Sequence, residues 1–249
     1  MNAEEFDEIN WYFEQSMNLI VYSYSQLKQY KTEHPYSRAA IHQETKNAQE
    51  SEASHNEIED YLRNDLVNNY LKKLRHFFLL TNFSIQPGSE ESKKNVKTGI
   101  VDIRFEYISA TSMDGTSFIF ECKRLDKYSG SQKGYIEKEM MRFVNRQYYP
   151  ESRMKIAGML AFVEIDLEKN PRGYLPVDGV AHRLRQKINS AKEALKVSDR
   201  FTPFKLFHEE YNEISNFNYC YLSKHRRPLD GQEVSIYHLL LDYYKILVT

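Results

Sequence analysis

Residues 99–108 (GIVDIRFEYI) and 117–123 (SFIFECK) decide the fold of this chain. Both stretches are rich in Val, Ile and Phe, and an Asp-Gly pair lies between them, so the pattern predicts two neighbouring strands of one hairpin. Because side chains alternate between the faces of a strand, Glu121 and Lys123 share one face, opposite the adjacent phenylalanines. Asp102 likewise points away from the apolar neighbours of its own strand.

These charged side chains lie on strands that otherwise have a core composition. A buried carboxylate or ammonium costs free energy unless it is paired or bound to a cation. Two carboxylates on neighbouring strands make an oxygen-rich pocket for a hard divalent cation, and a nearby lysine can hold a water or stabilise charge on a phosphate. A metal-free ion pair, Glu121–Lys123 or Asp102–Lys123, is the alternative that the spacing leaves open.

The E-x-K pattern occurs three times, at Glu44–Lys46, Glu91–Lys93 and Glu121–Lys123. Only the last copy lies on an apolar predicted strand with a carboxylate-bearing strand before it. The other two lie in polar segments, where they indicate surface charge.

With GIVD at 99–102 and ECK at 121–123, the chain resembles the PD-(D/E)XK nuclease superfamily. Val101 stands where the name of the superfamily has proline. The resemblance implies an α/β (α+β) fold, namely a restriction-endonuclease-like core with a central mixed sheet flanked by helices and preceded by an N-terminal helical extension. It also implies metal-dependent hydrolysis of phosphodiester bonds.

Carried over to this sequence, the resemblance assigns a catalytic set of four residues: Asp102, Glu121, Lys123 and Glu59. Asp102 and Glu121 would bind Mg²⁺ or Mn²⁺, with the carbonyl of Cys122 as a third ligand. Lys123 would position the attacking water.

A helix predicted from Ser54 to about Leu80 carries the fourth member of this set. The superfamily often places a further glutamate on its first core helix, and here Glu59 is the choice. Glu57 is the rival, although it already forms a capping box with Ser54 at the predicted helix start.

The resemblance also implies that basic and amide residues beyond the ECK strand contact a nucleic-acid backbone. The candidates are Arg124, Lys127, Lys133, Arg142 and Gln147. A helix predicted over 133–148 carries the last three. Solvation of a surface face is the alternative for each of them taken singly.

The rest of the chain shows periodicities of 2 and 3.6 residues, separated by polar segments. The other predicted elements are a long amphipathic helix over 4–31, a polar linker with a short helical piece over 32–53, a polar connector over 86–98, a buried strand over 155–165, a helix over 179–196, strands at 203–207 and 219–223, and an apolar end at 236–248. We therefore predict an N-terminal helix and linker (1–53) followed by a nuclease-like domain (54–249).

The net charge of −1 hides an asymmetry. Residues 1–62 carry 12 acidic and 4 basic side chains, and residues 63–249 carry 23 acidic and 30 basic ones. The apolar stripe of the helix over 4–31 predicts packing against the core, with a protein partner or self-association as the alternative. A basic region suits a polyanion, and the acidic region suits a protein partner or self-masking. Simple solvation of helix faces is the alternative.

Other site classes lack their defining motifs. The chain has 9 glycines and contains no G-x-x-x-x-G-K-[ST], G-x-G-x-x-G or G-x-S-x-G motif. Two distant cysteines form neither a disulfide framework nor a zinc site. The acidic residues 1–8 do not resemble a signal peptide, and the longest apolar run, 156–163, is too short to span a bilayer. We therefore expect a cytoplasmic protein without membrane contact.

The expected function is a divalent-metal-dependent nuclease, with DNA favoured over RNA as the substrate. By analogy with single-domain members of the superfamily, it would be the effector of a bacterial defence system. The alternative is a catalytically idle, nuclease-like subunit that binds nucleic acid or assembles a multiprotein complex.

Overall fold

A computed structural model describes residues 3–49, 57–93, 96–108, 116–125, 132–149, 154–164, 179–190 and 195–248. Its helices, in chain order, are α1 (Ala3–Glu33), α2 (Arg38–Gln49), α3 (Glu57–Asp65), a helix formed by Gly134–Met140 and Met141–Val144, a helix at Gly179–Ser190, and a short helix at Asn212–Ser215. The strands are β1 (Tyr36–Ser37), β2 (Phe83–Lys93), β3 (Val96–Tyr107), β4 (Ser117–Leu125), β5 (Ile156–Val163), β6 (Val197–Pro203), β7 (Cys220–Arg226), β8 (Glu233–Asp242) and β9 (Leu247–Val248).

Two of the helices contain π-helical turns. Helix α3 continues through a π-helical turn at Leu66–Leu71, the α-helical Lys72–Leu74 and a 3-10 turn at Arg75–Phe78. The helix between β4 and β5, here called the 134–144 helix, begins with a π-helical turn at Gly134–Met140. A π-turn adds one residue to a helical turn and therefore changes which face the following residues occupy.

A mixed sheet of seven strands lies at the centre, in the order β2-β3-β4-β5-β8-β7-β6. The β4–β5 and β5–β8 pairs are parallel, and the other neighbouring pairs are antiparallel. The predicted hairpin is confirmed, because β3 and β4 pair with Ile103 opposite Phe120. The structure therefore confirms the predicted class, a mixed sheet combined with helices.

Helices cover both faces of this sheet. On one face, Phe13 of α1 stacks on Phe120 of β4 with ring centroids 5.3 Å apart, and it lies 5.3 Å from the ring of Tyr237 of β8. On the other face, Tyr135 of the 134–144 helix bonds His238, the next residue of β8, at 2.9 Å. The alternation of side chains along each strand therefore assigns each helix to its own face.

The apolar stripe of α1 packs against the core of this chain. The predicted helix over 4–31 is confirmed, and Ile9, Phe13, Met17, Ile20 and Leu27 are all buried. A stripe covered by the sheet is not available to another molecule, so the stripe no longer supports the predicted protein partner or self-association. The predicted domain boundary between residues 53 and 54 lies outside the described residues.

The polar connector predicted over 86–98 is wrong, because most of it is strand. Strand β2 runs from Phe83 to Lys93, and β3 already begins at Val96. Strand β2 is at the edge of the sheet, where polar side chains and Pro87 are compatible with pairing on one side only. The few buried anchors, Phe83 and Ile85, do not reveal this strand in the sequence.

Two smaller predictions also change. The polar segment 32–53 contains β1 and the twelve-residue helix α2, so the predicted short helical piece is most of the segment. The strand predicted at 203–207 is wrong, since β6 ends at Pro203. The capping residue Ser54 lies outside the described residues. Within those residues, no helix combines the length and apolar character needed to cross a bilayer.

Gly158 of β5 leaves room for the ring of Phe120, its partner on the neighbouring strand β4. A Cβ at Gly158 would lie 1.9 Å from Cδ1 of Phe120. We expect Gly158→Ala to reduce the free energy of unfolding by about 1–3 kcal/mol, because the buried ring has to move. Urea denaturation measures this change.

Gly134 supplies the matched control, because a Cβ there meets nothing within 4 Å. We expect Gly134→Ala to leave stability unchanged or to raise it by up to about 1 kcal/mol, as in other helical glycine replacements. Equal destabilisation by both alanines would show that the Phe120 contact is not the cause.

A buried chain of hydrogen bonds links the 134–144 helix to β7 and β8. His238 bonds Tyr135 through Nδ1 at 2.9 Å and Ser223 through Nε2 at 2.8 Å. Ser223 also bonds His225 at 2.8 Å. Burial and the neighbouring His225 lower the pKa of His238 to about 3, so the folded protein holds this imidazole neutral.

This lowered pKa makes stability depend on pH. Below about pH 6.5 His238 binds a proton in the unfolded chain but stays neutral in the folded chain. The contribution of His238 to the free energy of unfolding is therefore complete above that pH and decreases below it. From about pH 7.5 to about pH 5, we expect His238 to reduce the free energy of unfolding by about 2 kcal/mol. His238→Gln should remove this part of the pH dependence, whereas His34→Gln, at an exposed position, should not. An unchanged pH dependence in His238→Gln would contradict the assignment.

Candidate functional site

At the centre of the site, the backbone pairing of β3 with β4 ends, and a side chain of β3 accepts the next backbone amide of β4. The register of the two strands runs from Glu106–Ser117 to Ile103–Phe120. Next to the last pair, Oδ2 of Asp102 accepts a hydrogen bond from the backbone amide of Cys122 at 2.8 Å. Asp102 is therefore held on the face of β4 that carries Glu121, as the sequence predicts.

Glu59 connects α3 to the ECK strand. Its Oε1 lies 3.2 Å from Nζ of Lys123, and its Oε2 accepts the backbone amide of Arg124 at 2.8 Å. The structure thus brings the predicted Glu59 to the predicted Lys123. The side chain of the rival, Glu57, lies outside the described part.

Both members of this pair have shifted pKa values. Burial raises the pKa of Glu59, against the opposing effect of Lys123 and of the Arg124 amide. Burial alone would lower the pKa of Lys123, but Glu59 outweighs it and the pKa is raised. Lys123 is therefore an ammonium at neutral pH and acts as a hydrogen-bond donor rather than as a proton acceptor.

Arg63 is a site residue that the sequence reasoning missed. Its Nη1 lies 2.7 Å from Oδ1 of Asp102 and 2.8 Å from Oδ1 of Asp60. Arg63 follows Glu59 by four residues, so both lie on one side of α3. A charged pair at this spacing beside the apolar stripe of a core helix is the signal that points to it.

Glu121 is buried in the site, with 3% of its surface exposed. Its Oε1 accepts a hydrogen bond from Nη1 of Arg142 at 2.8 Å. Its Oε2 is buried and makes no hydrogen bond with any described residue. Burial, followed by the nearby Asp102 carboxylate and contact with Glu139, raises the pKa of Glu121 well above the usual range, and Arg142 only partly opposes this.

Glu139 of the 134–144 helix is the second residue that was missed. It is also 3% exposed, and its Oε2 lies 2.9 Å from the same Nη1 of Arg142 that Glu121 contacts. Arg142 donates a further bond to the hydroxyl of Tyr148 at 2.6 Å, and Tyr148 donates to the carbonyl of Ile100 at 2.7 Å. One guanidinium therefore bridges two buried carboxylates and is tied to β3.

The residues predicted to bind nucleic acid have different surroundings. Arg142 faces the carboxylates of the site, as just described. The guanidinium of Arg124 bonds Glu164, with Nη2 to Oε2 at 3.0 Å. Lys133 is exposed and 3.7 Å from Glu137, and Gln147 is exposed. Lys127 lies outside the described residues, so a common surface of these five residues stays a prediction.

The predicted metal-free ion pairs are also not the ones that form. Lys123 pairs with Glu59 rather than with Glu121 or Asp102, whose partners are Arg142 and Arg63. The two guanidinium groups come from α3 and from the 134–144 helix. Sequence spacing along the strands therefore located the carboxylates but not their counter-ions.

Negative charge exceeds positive charge in this cluster. The well-buried carboxylates are Glu59, Asp102, Glu121 and Glu139, and the cations that pair with them are Arg63, Lys123 and Arg142. Asp60 adds a further carboxylate at the rim, and the exposed Lys138 approaches Glu139 to 3.6 Å. A proton on Glu121 or a bound cation would offset the excess.

The donor set fits a hard divalent cation in chemistry. The carboxylate oxygens are the ligands that Mg²⁺ and Mn²⁺ prefer, and Oε2 of Glu121 is buried without a hydrogen bond among the described residues. In their present rotamers, the described His, Cys, Asp and Glu residues form no group of three that could hold a metal ion.

Comparisons with family models, with curated proteins and with solved structures found no match.

Removing one partner of the Arg63–Asp102 pair should be strongly destabilising. We expect Arg63→Met to reduce the free energy of unfolding by about 3 kcal/mol, because it leaves a largely buried carboxylate without its counter-ion. Chemical denaturation measures the loss. The exposed Lys73, further along the same helical run, is the control, and Lys73→Met should change stability by less than about 0.5 kcal/mol.

The double variant Arg63→Met with Asp102→Asn separates the pair from the rest of the site. An asparagine can still accept the Cys122 amide but carries no charge, so it should be less destabilising in the Arg63→Met background than in the parent chain. Strictly additive losses would contradict a direct interaction between Arg63 and Asp102.

Proposed function

We propose that this chain is a divalent-metal-dependent nuclease of the PD-(D/E)XK type that hydrolyses phosphodiester bonds in nucleic acid. The observation that carries the proposal is the convergence of Asp102, Glu121, Lys123 and Glu59 from two strands and a helix. A mixed sheet flanked by helices is the architecture that the resemblance implies, and this supports the proposal further.

Each residue has a role that follows from its surroundings. Asp102, Glu121 and the carbonyl of Cys122 would hold Mg²⁺ or Mn²⁺, which supplies a Lewis acid for the phosphate and lowers the pKa of a bound water. The Lys123 ammonium would donate a hydrogen bond to the attacking water or to a phosphate oxygen. Glu59 fixes Lys123 and the β4 backbone together, so it orients the amino group.

The charge distribution agrees with a polyanionic substrate. Residues 63–249, which contain the site strands, carry seven more basic than acidic side chains. Lys and Arg near a cleavage site neutralise phosphates and steer nucleic acid toward it. A preference for DNA over RNA and a role as a defence effector stay predictions from the resemblance.

Cleavage assays with substitutions in the site test the proposal. We expect the parent chain to cleave DNA with Mg²⁺ or Mn²⁺ and to lose cleavage when EDTA is added. Asp102→Asn and Lys123→Ala should each reduce the rate by at least about a hundredfold, a typical effect of removing one stabilising group. Lys133→Ala, at an exposed helix position, should keep most of the activity. Full activity in both site variants would overturn the mechanism.

One observation favours a second candidate, a catalytically idle nuclease-like subunit that binds nucleic acid or assembles a complex. Arg63 and Arg142 already neutralise Asp102 and Glu121, so the fold does not require a metal. An idle subunit would release no nucleotides from any single- or double-stranded DNA or RNA, whether or not it binds Mn²⁺ in calorimetry. Cleavage that depends on both metal and Asp102 would exclude it.

A further inference from the structure

Glu139 and Arg142 form an arrangement that the proposed mechanism does not yet use. Two carboxylates, each 3% exposed, contact the same guanidinium nitrogen, at 2.8 Å and 2.9 Å. Burying two carboxylates side by side is costly, and one arginine offsets only one of the two charges. Arg142 therefore leaves one negative charge uncompensated, which a proton on Glu121 or a bound cation would offset.

A second observation points to a ligand at this place. Oε2 of Glu121 is buried and makes no hydrogen bond with any residue that the structure describes. Asp102 lies on the same face, held by the amide of Cys122. A carboxylate oxygen that is removed from water and has no donor is suited to a bound cation.

The helix that carries Glu139 and Arg142 is irregular in the first half. Residues Gly134–Met140 form a π-helical turn, and Arg142 follows in the α-helical part. Such turns are frequent at functional sites, because the inserted residue redirects side chains. Here both Glu139 and Arg142 face Glu121, while Glu137 on the same turn faces solvent.

We propose that Glu139 is a further carboxylate of the divalent-cation site, and that the Arg142 guanidinium acts as a resident counter-ion which the metal displaces from between Glu121 and Glu139. This proposal rests on the proposed nuclease function. Arg142 is only partly buried and is tied to Tyr148 at the site edge. Once displaced, it stays near the cation, where a guanidinium can bind a phosphate oxygen of the substrate.

The direct test is the affinity for Mn²⁺ alone, measured by calorimetry on the full chain without nucleic acid. We expect Glu139→Gln to weaken Mn²⁺ binding at least tenfold, because a charged ligand is lost. Glu137→Gln, which removes the same charge from an exposed position on the same helix, should change the affinity less than twofold. Glu139→Asp keeps a carboxylate and should bind Mn²⁺ better than Glu139→Gln.

The counter-ion role makes an opposite prediction for Arg142. We expect Arg142→Gln to bind Mn²⁺ several-fold more tightly than the parent chain, because the competing charge is gone. Its melting temperature should be lower without metal and should rise more on addition of Mn²⁺. This readout is independent of cleavage, and it also shows whether the variant is folded.

The possible failures can be told apart. Equal Mn²⁺ affinity in Glu139→Gln and Glu137→Gln, with binding lost in Asp102→Asn, would overturn the role of Glu139 and leave the nuclease proposal standing. Weaker Mn²⁺ binding in folded Arg142→Gln would overturn the counter-ion role. A parent chain that binds no Mn²⁺ and shows no metal-dependent cleavage would overturn the proposed function together with this inference.

Discussion

The arrangement of the site depends on one hydrogen bond, from the backbone amide of Cys122 to the carboxylate of Asp102. This bond replaces the backbone pairing of β3 and β4 next to Ile103–Phe120. Strand β4 continues to pair with β5 beyond this point, and a carboxylate lies where β3 and β4 separate. A buried amide without an acceptor would cost free energy comparable to a lost hydrogen bond. Asp102 therefore has a structural role even before any ligand is considered.

The rest of the site compensates for the charges that this junction brings together. Arg63 from α3 and Arg142 from the 134–144 helix reach the carboxylates of Asp102 and Glu121, and Glu59 reaches Lys123. Ion pairs of this kind stabilise little beyond the cost of desolvating them, and they are vulnerable to loss of one partner. Such a network is more readily explained by a site that exchanges counter-ions than by a need for stability.

The hairpin and its face alternation were predictable, because period-two patterning and an Asp-Gly turn are local signals. The edge strand β2 was not predictable, since its polar residues pair through the backbone alone and its few anchors resemble loop residues. Glu59 was reached through the resemblance, and the structure brings it to Lys123. Arg63 was missed because its partner Asp102 lies 39 residues away along the chain. Glu139 was missed because the strand residue that it contacts, Glu121, lies 18 residues away.

The sequence by itself determined which residues are carboxylates on core strands and on which face of each strand they lie, because alternation is a property of the local backbone. Only the tertiary structure decided which cations meet them, since α3 and the 134–144 helix approach β3 and β4 through packing of the whole core. It also assigned α1 to that core rather than to a partner. The position of a helix, and the face that its residues occupy after a π-helical turn, depend on packing between residues far apart in the sequence. Periodicity along the chain therefore does not reveal them.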